Sequence, residues 1–429
     1  MKLLIKNGTV VDPANGINGK MDILVSGGVI AKTGKSISER DAKIIDAGGK
    51  YVMPGFIDLH VHLREPGYEY KETIETGTKA AAKGGFTKVV CMPNTQPPID
   101  NQAMVEFINM KAGKEGCIDV LVAGTVTKGR AGEELAPIGE LVKAGAVAVT
   151  DDGSPVKNSE LLRRALEYCK MFDIPLMEHC EDLALTAEAE MNEGYYSTIF
   201  GLKGEPACAE DVIAARDIMT AKEMDAKIHI QHISTKGAVE LVRWAKKQGV
   251  KVTAEAAPHH FSLDDSMLAG YDTNFKVKPP LRSKEDVKAV IKGLKDGTID
   301  VIATDHAPHA ELDKNVEFRM AAPGMIGLET AFPLAIEYLV RTQTLTISAL
   351  VEKMCVNPAK ILGINAGSLS EGSDADIVIA DIDAEVEITN DFFESKSTNS
   401  PFIGSRLHGK IETVIKNGKA VTGNAQEKC

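Results

Sequence analysis

The chain has 429 residues, 44% of them hydrophobic, with 61 acidic against 49 basic side chains and a net charge of −12. That length exceeds one ordinary core and suits an α/β barrel with a small accessory domain; the acidic balance argues against a nucleic-acid surface. No apolar run is long enough to span a bilayer, the N-terminus lacks a signal-peptide core, and seven scattered cysteines without a Cys-x-x-Cys pair read as reduced thiols of a cytoplasmic enzyme.

Residues 1–52 read as short strands and turns. Leu3-Leu4-Ile5 and Thr9-Val10-Val11 flank an Asn7-Gly8 turn, and Ile23-Leu24-Val25 and Val29-Ile30 flank Gly27-Gly28. Such dipeptides between apolar runs signal hairpins. Ile5-Lys6-Asn7-Gly8 has a counterpart in Ile415-Lys416-Asn417-Gly418, and Ala375–Ala380 is a further strand. Both ends are therefore expected to build one small β domain, from residues 1–52 and 363–429.

Between residues 53 and 362 apolar, β-rich runs alternate with helical stretches. The expected strands are Gly55–His60, Thr87–Met92, Ile118–Ala123, Ala146–Thr150, Ile174–Met177, Lys227–Gln231, Val252–Glu255 and Asp300–Thr304. The expected helices include Glu72–Lys83, Asn101–Ala112, Glu134–Lys143, Ser159–Met171, Glu210–Met224, Lys236–Lys247, Glu285–Lys295 and Leu328–Leu339. This alternation predicts the α/β class and a (β/α)8 TIM barrel. No Gly-x-Gly-x-x-Gly turn follows the first strand, so a doubly wound open sheet ranks second.

Active sites of such barrels form at the C-terminal ends of the strands, and ligand-type residues collect there. Strand one ends in His60 and His62, whose spacing puts both imidazoles on one face. Strand four ends in Asp151-Asp152, strand five in Glu178-His179, strand six in Gln231-His232 and strand eight in Asp305-His306. Four histidines and two aspartates exceed one tetrahedral zinc and suit two metals sharing a carboxylate. His60 and His62 would hold one metal with Asp305, and His179 and His232 the other. Alternation groups His232 with Ile228 and Ile230 and sends His229 to the helix-facing side. It leaves Asp151 and Asp152 undecided as the bridge.

The stretch Pro54-Gly55-Phe56-Ile57-Asp58-Leu59-His60-Val61-His62-Leu63-Arg64-Glu65-Pro66-Gly67 resembles the amidohydrolase superfamily, and most closely its dihydroorotase family. Cys91–Thr95, Asp151-Asp152-Gly153, Pro279-Pro280-Leu281-Arg282, Thr304–His309 and Gly327-Leu328-Glu329-Thr330 match as well. The resemblance implies two zinc ions per chain and reversible conversion of N-carbamoyl-L-aspartate to L-dihydroorotate in pyrimidine biosynthesis. It implies zinc-activated hydroxide, with Asp305 as the catalytic acid/base, and assigns the bridge to Asp152. No lysine lies between Ala144 and Asp152 to offer a carbamylated alternative. It carries substrate contacts to His62, Leu63, Arg64, Asn94, Lys278, His309, Pro323 and Gly324. The segment from His306 to Met325 would then be a lid, while the insertion Glu181–Pro206 has no assigned role.

One position departs from the family pattern: Lys278 stands where relatives carry Asn before Pro-Pro-Leu-Arg. Lys cannot accept a hydrogen bond through its side chain, so a contact through the main chain is expected there. The competing readings are an allantoinase or hydantoinase-like amidohydrolase, and an inactive scaffold in an aspartate transcarbamoylase complex. The expected partners are the small-molecule substrate and a second copy in a homodimer. Association with aspartate transcarbamoylase stays open, and neither nucleic acid nor membrane is expected.

Overall fold

The computed structural model describes residues 2–423; Met1 and residues 424–429, the extremities of the expected β domain, lie outside them. Eight parallel strands run in sequential order: Phe56–Val61, Phe86–Cys91, Asp119–Gly124, Ala146–Val149, Leu176–Glu178, Ile228–Ile230, Val252–Ala256 and Val301–Ile302. Helices between them cover the outside. The sheet curls until its edges meet, where Val61 bridges His306 and the His62 amide donates to the His306 carbonyl at 2.9 Å. Asp58 reinforces this seam by accepting from the backbone amides of His60 and Thr304, at 3.0 and 3.1 Å. Burial pushes the Asp58 carboxyl up to about 7.

Side chains of alternate parity divide the core. Ile57, Leu59, Val90, Met92, Ala123, Ala148, Met177, Val301 and Ala303 fill the barrel interior, with Ala359 and Leu362 packed against them. Phe56, Val89, Val122, Val149, Leu176, Ile228 and Ile230 face the helices. Strands buried on both faces need such continuous apolar runs. Helix starts follow side-chain caps: Thr73 opens Ile74–Lys83, Asn101 opens Gln102–Glu115, and Ser283 opens Lys284–Asp296. The first therefore begins two residues inside the expected Glu72–Lys83. Strand eight is shorter than expected because its chain turns to meet Asp58 and strand one.

Both chain ends join one separate sheet. Tyr51–Pro54 pairs in parallel with Lys2–Asp12 and antiparallel with Ile377–Glu387, which pairs with Arg406–Lys416. The expected hairpin at Asn7-Gly8 is instead a bulge inside the single strand Lys2–Asp12. A side chain at residue 8 would start 2.5 Å from Val52 Cγ2, so the glycine serves the close approach of Tyr51–Pro54. Gly27-Gly28 and Asn417-Gly418 are true two-residue turns, with φ of 63° and 88° and of 49° and 74°. The six described cysteines are free thiols, and no helix of the described residues is long and apolar enough to cross a membrane.

A buried charge cluster ties this sheet to the barrel. Asp376 pairs with Lys88 of strand two at 3.2 Å and with Lys416 at 2.9 Å; Lys416 also reaches Asp119 of strand three at 2.8 Å. Removing Asp376 leaves two poorly hydrated ammonium groups sharing one half-exposed carboxylate. Asp376→Ala is therefore expected to destabilise the protein by about 3 kcal/mol, measured as a lowered urea midpoint. Lys410→Ala, which cuts only the exposed pair with Glu412, should cost under about 1 kcal/mol. Equal midpoints for the two variants would show that the cluster adds no net stability.

Candidate metal centre

The strand ends bring four imidazoles and two carboxylates to one point at the barrel mouth. Asp152 stands in the middle. Its Oδ1 lies 3.2 Å from His60 Nε2, 3.6 Å from His232 Nε2 and 3.7 Å from His179 Nδ1. Its Oδ2 lies 3.5 Å from His62 Nε2. Asp305 Oδ1 approaches His62 Nε2 at 3.1 Å and His60 Nε2 at 3.5 Å. Two groups therefore have ligand atoms within 4.8 Å of one another: His60 with Asp152 and His232, and His60 with His62 and Asp305. His179 stands at the edge of the first, its Nδ1 2.8 Å from His232 Nε2.

Asp151 is turned away from this cluster. Its Oδ1 accepts from the amides of Val126 and Thr127 at 2.9 and 3.1 Å, and its Oδ2 from the Thr127 hydroxyl. Thr150 faces inward, donating to Gln231 Oε1 at 2.9 Å, and Asp152 shares its parity. Inward-facing Thr150 was the sequence signal that separates the two aspartates.

Burial disfavours charge throughout the site, yet opposite charges overcome it. The histidines hold Asp152 well below the usual carboxylate range despite its burial. Burial lowers His60, but Asp152 and Asp305 together draw it well above the ordinary imidazole value. His179 is likewise pushed up to about 10, against burial, by Asp152 and Glu181. Protonated imidazoles cannot ligate, so seating a cation must release protons.

Unpaired atoms test whether the residues fit a cation. His60 Nε2 and Asp152 Oδ1, which face each other at the centre of the cluster, are buried without a hydrogen-bond partner. Each would cost roughly 1–3 kcal/mol if left so, and a bound cation satisfies such atoms. Neutral nitrogens and carboxylate oxygens, with no thiolate, form a set suited to zinc and its first-row neighbours.

The histidines are held from behind. Glu255 Oε1 takes the Nδ1 proton of His60 at 2.7 Å, which leaves Nε2 for a metal. Its Oε2 accepts from His229 Nε2 at 3.0 Å, and His229 Nδ1 meets Thr253 Oγ1 at 2.8 Å. His229 thus lies inside the barrel with Gln231, not on the helix-facing side. The strand stops at Ile230 and His232 takes a φ of 29°, so its parity does not carry to His232. Asn94 Oδ1 meets His62 Nδ1 at 3.0 Å, and Glu181 Oε2 meets His179 Nε2 at 2.9 Å. Sequence reasoning passed over Glu255 and Glu181. For Glu255 the available signal was a carboxylate near the end of a barrel strand, whereas Glu181 lies three residues past the end of strand five.

Beyond the cluster lies a basic rim. Arg64, at φ 61°, donates from Nε to the Pro308 carbonyl at 3.1 Å, and its Nη2 lies 3.3 Å from His309 Nε2. His309 Nε2 meets the Pro323 carbonyl at 3.0 Å, while Lys71 Nζ donates to His309 Nδ1 at 3.2 Å. Burial and the neighbouring cations Arg64, Lys71 and Lys314 push His309 down to about 2, so its ring is neutral. Gly324, at φ 137°, leaves no room for a Cβ, which would lie 2.8 Å from Ala307 Cβ and 3.0 Å from His309 Nε2. Leu63 is buried beside the histidines. The side chain of Lys278 is bound to Glu181 Oε1 at 2.5 Å. The insertion after strand five gains a role here: buried Arg282 binds its Glu205 at 2.7 Å and its Asn192 at 3.3 Å.

Comparison with known proteins agrees with this geometry. A family model described as dihydro-orotase-like matches residues 49–238. The chain is 56% identical over 419 residues to a dihydroorotase of Acetivibrio thermocellus, covering 98% of each chain. It is 54% identical over 421 residues to a dihydroorotase of Ruminiclostridium cellulolyticum, again covering 98% of each. Among solved structures, it resembles the L-hydantoinase (dihydropyrimidinase) of Arthrobacter aurescens with 27% identity and a TM-score of 0.89, covering 100% of this chain and 97% of that one. The dihydropyrimidinase of Brevibacillus agri NCHU1002 follows at 26% identity and a TM-score of 0.87, covering 99% and 96%.

The two aspartates should behave differently on substitution. Asp152→Ala is expected to lose most of its metal and Asp151→Ala to keep most of it, by elemental analysis of purified protein. The reverse pattern would move the central carboxylate to Asp151.

Proposed function

The chain belongs to the dihydroorotase family of metal-dependent cyclic amidohydrolases, and we propose that its barrel mouth interconverts L-dihydroorotate and N-carbamoyl-L-aspartate as a step of pyrimidine biosynthesis. The observation that carries the substrate assignment is Arg64. Its guanidinium sits beside the cluster with no carboxylate in ion-pairing range among the described residues. Glu65 is taken by Lys111 at 2.6 Å and by the Ile74 amide at 2.8 Å, and Glu69 by the Gly67 amide at 2.9 Å. A cation left unpaired at a site mouth is suited to a substrate carboxylate, which a guanidinium grips with two parallel hydrogen bonds.

In this reading His60, His62 and Asp305 would hold one zinc ion, His179 and His232 would hold a second, and Asp152 would serve as a carboxylate ligand of the pair. When bound, such ions polarise a carbonyl and make water acidic enough to react near neutrality. Arg64, Asn94, Leu63, His309, Pro323 and Gly324 orient the substrate with its carboxylate away from the cluster. Asp305 moves the proton. Its Oδ1 faces His60 and His62, while Oδ2 is free of side-chain hydrogen bonds. In ring opening, Asp305 takes the proton released as water adds to the ring amide carbonyl. It then returns that proton to the departing nitrogen. Ring closure reverses both transfers, so the proton count balances with one water gained or lost.

Lys278 contributes through its main chain, since its ammonium is held by Glu181. Lys278→Asn should therefore change kcat/KM for dihydroorotate by less than about tenfold. A larger change in either direction would mean that the ammonium reads the substrate.

The assignment itself is tested by turnover. Purified protein should carry about two zinc ions per chain and open dihydroorotate, leaving hydantoin and dihydrouracil, which lack the carboxylate, essentially untouched. Asp305→Asn should lower kcat by at least about a hundredfold, with metal content measured alongside. Preference for an uncarboxylated ring would replace this reading with a hydantoinase-like one, and near-normal turnover by Asp305→Asn would assign the proton to another group.

A further inference from the structure

Residues 388–405 connect the two long strands of the separate sheet, Ile377–Glu387 and Arg406–Lys416. This connection travels to the barrel mouth and lies across the loops that follow strands one and eight. Ser397 Oγ donates to the Lys71 carbonyl at 2.7 Å, and Lys396 Nζ to the Glu69 carbonyl at 2.6 Å. Ser395 Oγ and the Lys396 amide both donate to the buried Glu72 carboxylate.

Asn399, only 5% exposed, is where this connection meets the loop after strand eight. Its Oδ1 accepts from the His309 amide at 3.0 Å. Its Nδ2 donates to the carbonyls of Ala307 and Gly324, each at 3.1 Å. Its own carbonyl accepts from the Ile326 amide at 3.0 Å. The side chain thus satisfies one donor and two acceptors in a single plane, which an amide can do and a carboxylate or an alkyl group cannot. None of its partners belongs to the His/Asp cluster.

His309 is gripped from two sides by one short stretch of chain. Asn399 fixes its main chain. Ser397 fixes the carbonyl of Lys71, whose ammonium fixes the ring through Nδ1. Gly324 is held in the same way, by Asn399 on its carbonyl and by Lys314 Nζ on the same atom at 3.0 Å. The two adjacent rim elements near Arg64 therefore take their positions from a segment 75 to 90 residues downstream.

We propose that Asn399 is a positioning residue for the substrate carboxylate, fixing the main chain of His309 and Gly324, the adjacent rim residues which that group meets. It acts through the rim and leaves the reacting atoms alone. This rests on the reading that His309 and Gly324 face the substrate carboxylate. Loss of Asn399 then weakens binding of carboxylated ligands while the chemical step proceeds once the substrate is seated.

The test uses the metal-loaded full chain. Asn399→Ala is expected to raise KM for dihydroorotate roughly tenfold, the scale of one positioned hydrogen bond, with kcat within about threefold and metal content unchanged. Binding of orotate should weaken by a similar factor, and binding of uracil, the same ring without the carboxylate, should not. In a double-mutant cycle with His309→Asn the two effects should be strongly non-additive. Asn399→Asp keeps the acceptor for the His309 amide and turns an oxygen towards two carbonyls; it should show the same KM-selective pattern, and it serves if the alanine variant does not fold. A KM unchanged within about twofold, an equal fall in kcat, or additivity with His309→Asn overturns the role of Asn399. Orotate binding that ignores His309→Asn as well overturns the rim reading together with this inference.

Discussion

A carboxylate surrounded by imidazoles in the interior of a protein is stable only if charge and geometry are matched together. Asp152 imposes that condition here. Desolvation alone would protonate it; four histidines from strand ends one, five and six keep it ionised. Those histidines meet one carboxylate only if the strands end at a common level around a closed ring. Closure is therefore part of the site's electrostatics. The seam between strands one and eight depends on Asp58, itself buried and held by two amides. It fixes His60 and His62 against Asp305, which lies across the seam at a φ of 48°. The strained backbone at Asp305 and His232 marks where the chain leaves strand geometry to aim a side chain inward.

Most of this was legible where a residue's role follows from parity or position on a strand. Runs such as residues 120–123 and Ala146–Val149 are apolar on both faces, so their burial inside a covered barrel could be read directly. Ligand-type residues at strand ends could be found because all active-site loops of such a barrel share one end. Parity failed at the ends themselves. His232 lies beyond the last paired residue, so grouping it with Ile228 and Ile230 sent His229 to the wrong side. Asn7-Gly8 carried a hairpin signal, yet the chain continues as one bulged strand because Tyr51–Pro54 packs against Gly8. That choice is made by a tertiary neighbour some forty residues away, which no local pattern contains. Asn399 was invisible for the same reason, since its partners lie 75 to 92 residues away.

Polar groups behind the candidate ligands form a repeated arrangement. Glu255 stands behind His60, Asn94 behind His62 and Glu181 behind His179. Each takes one ring nitrogen so that the other is presented to the centre. Such partners fix tautomer and ring angle, and their loss commonly costs ten- to a hundredfold in metal affinity. The network extends one layer further, through His229 and Thr253 behind Glu255, and through Lys278 behind Glu181. A histidine that packs without ligating can therefore still belong to the centre.

Lys278 joins the two halves of the site through charge. A free ammonium at this point of the rim would offer a second cation for a substrate carboxylate, in competition with Arg64. Its pairing with Glu181 at 2.5 Å removes that competition. Glu181 in turn carries three obligations, to Lys278 and the Thr186 hydroxyl through Oε1 and to His179 through Oε2. Its carboxyl is held far below its usual range by His179 and Lys278, against its burial. The lysine thus balances a buried carboxylate whose charge His179 alone would have to offset. Among the described residues the neighbouring ammonium groups are occupied, Lys278 by Glu181, Lys314 by three main-chain carbonyls and Lys71 by His309 and Asp313, while Arg64 meets only the Pro308 carbonyl and His309. Under the proposed reading, specificity for a carboxylated ring would depend as much on how the neighbouring ammonium groups are neutralised as on Arg64.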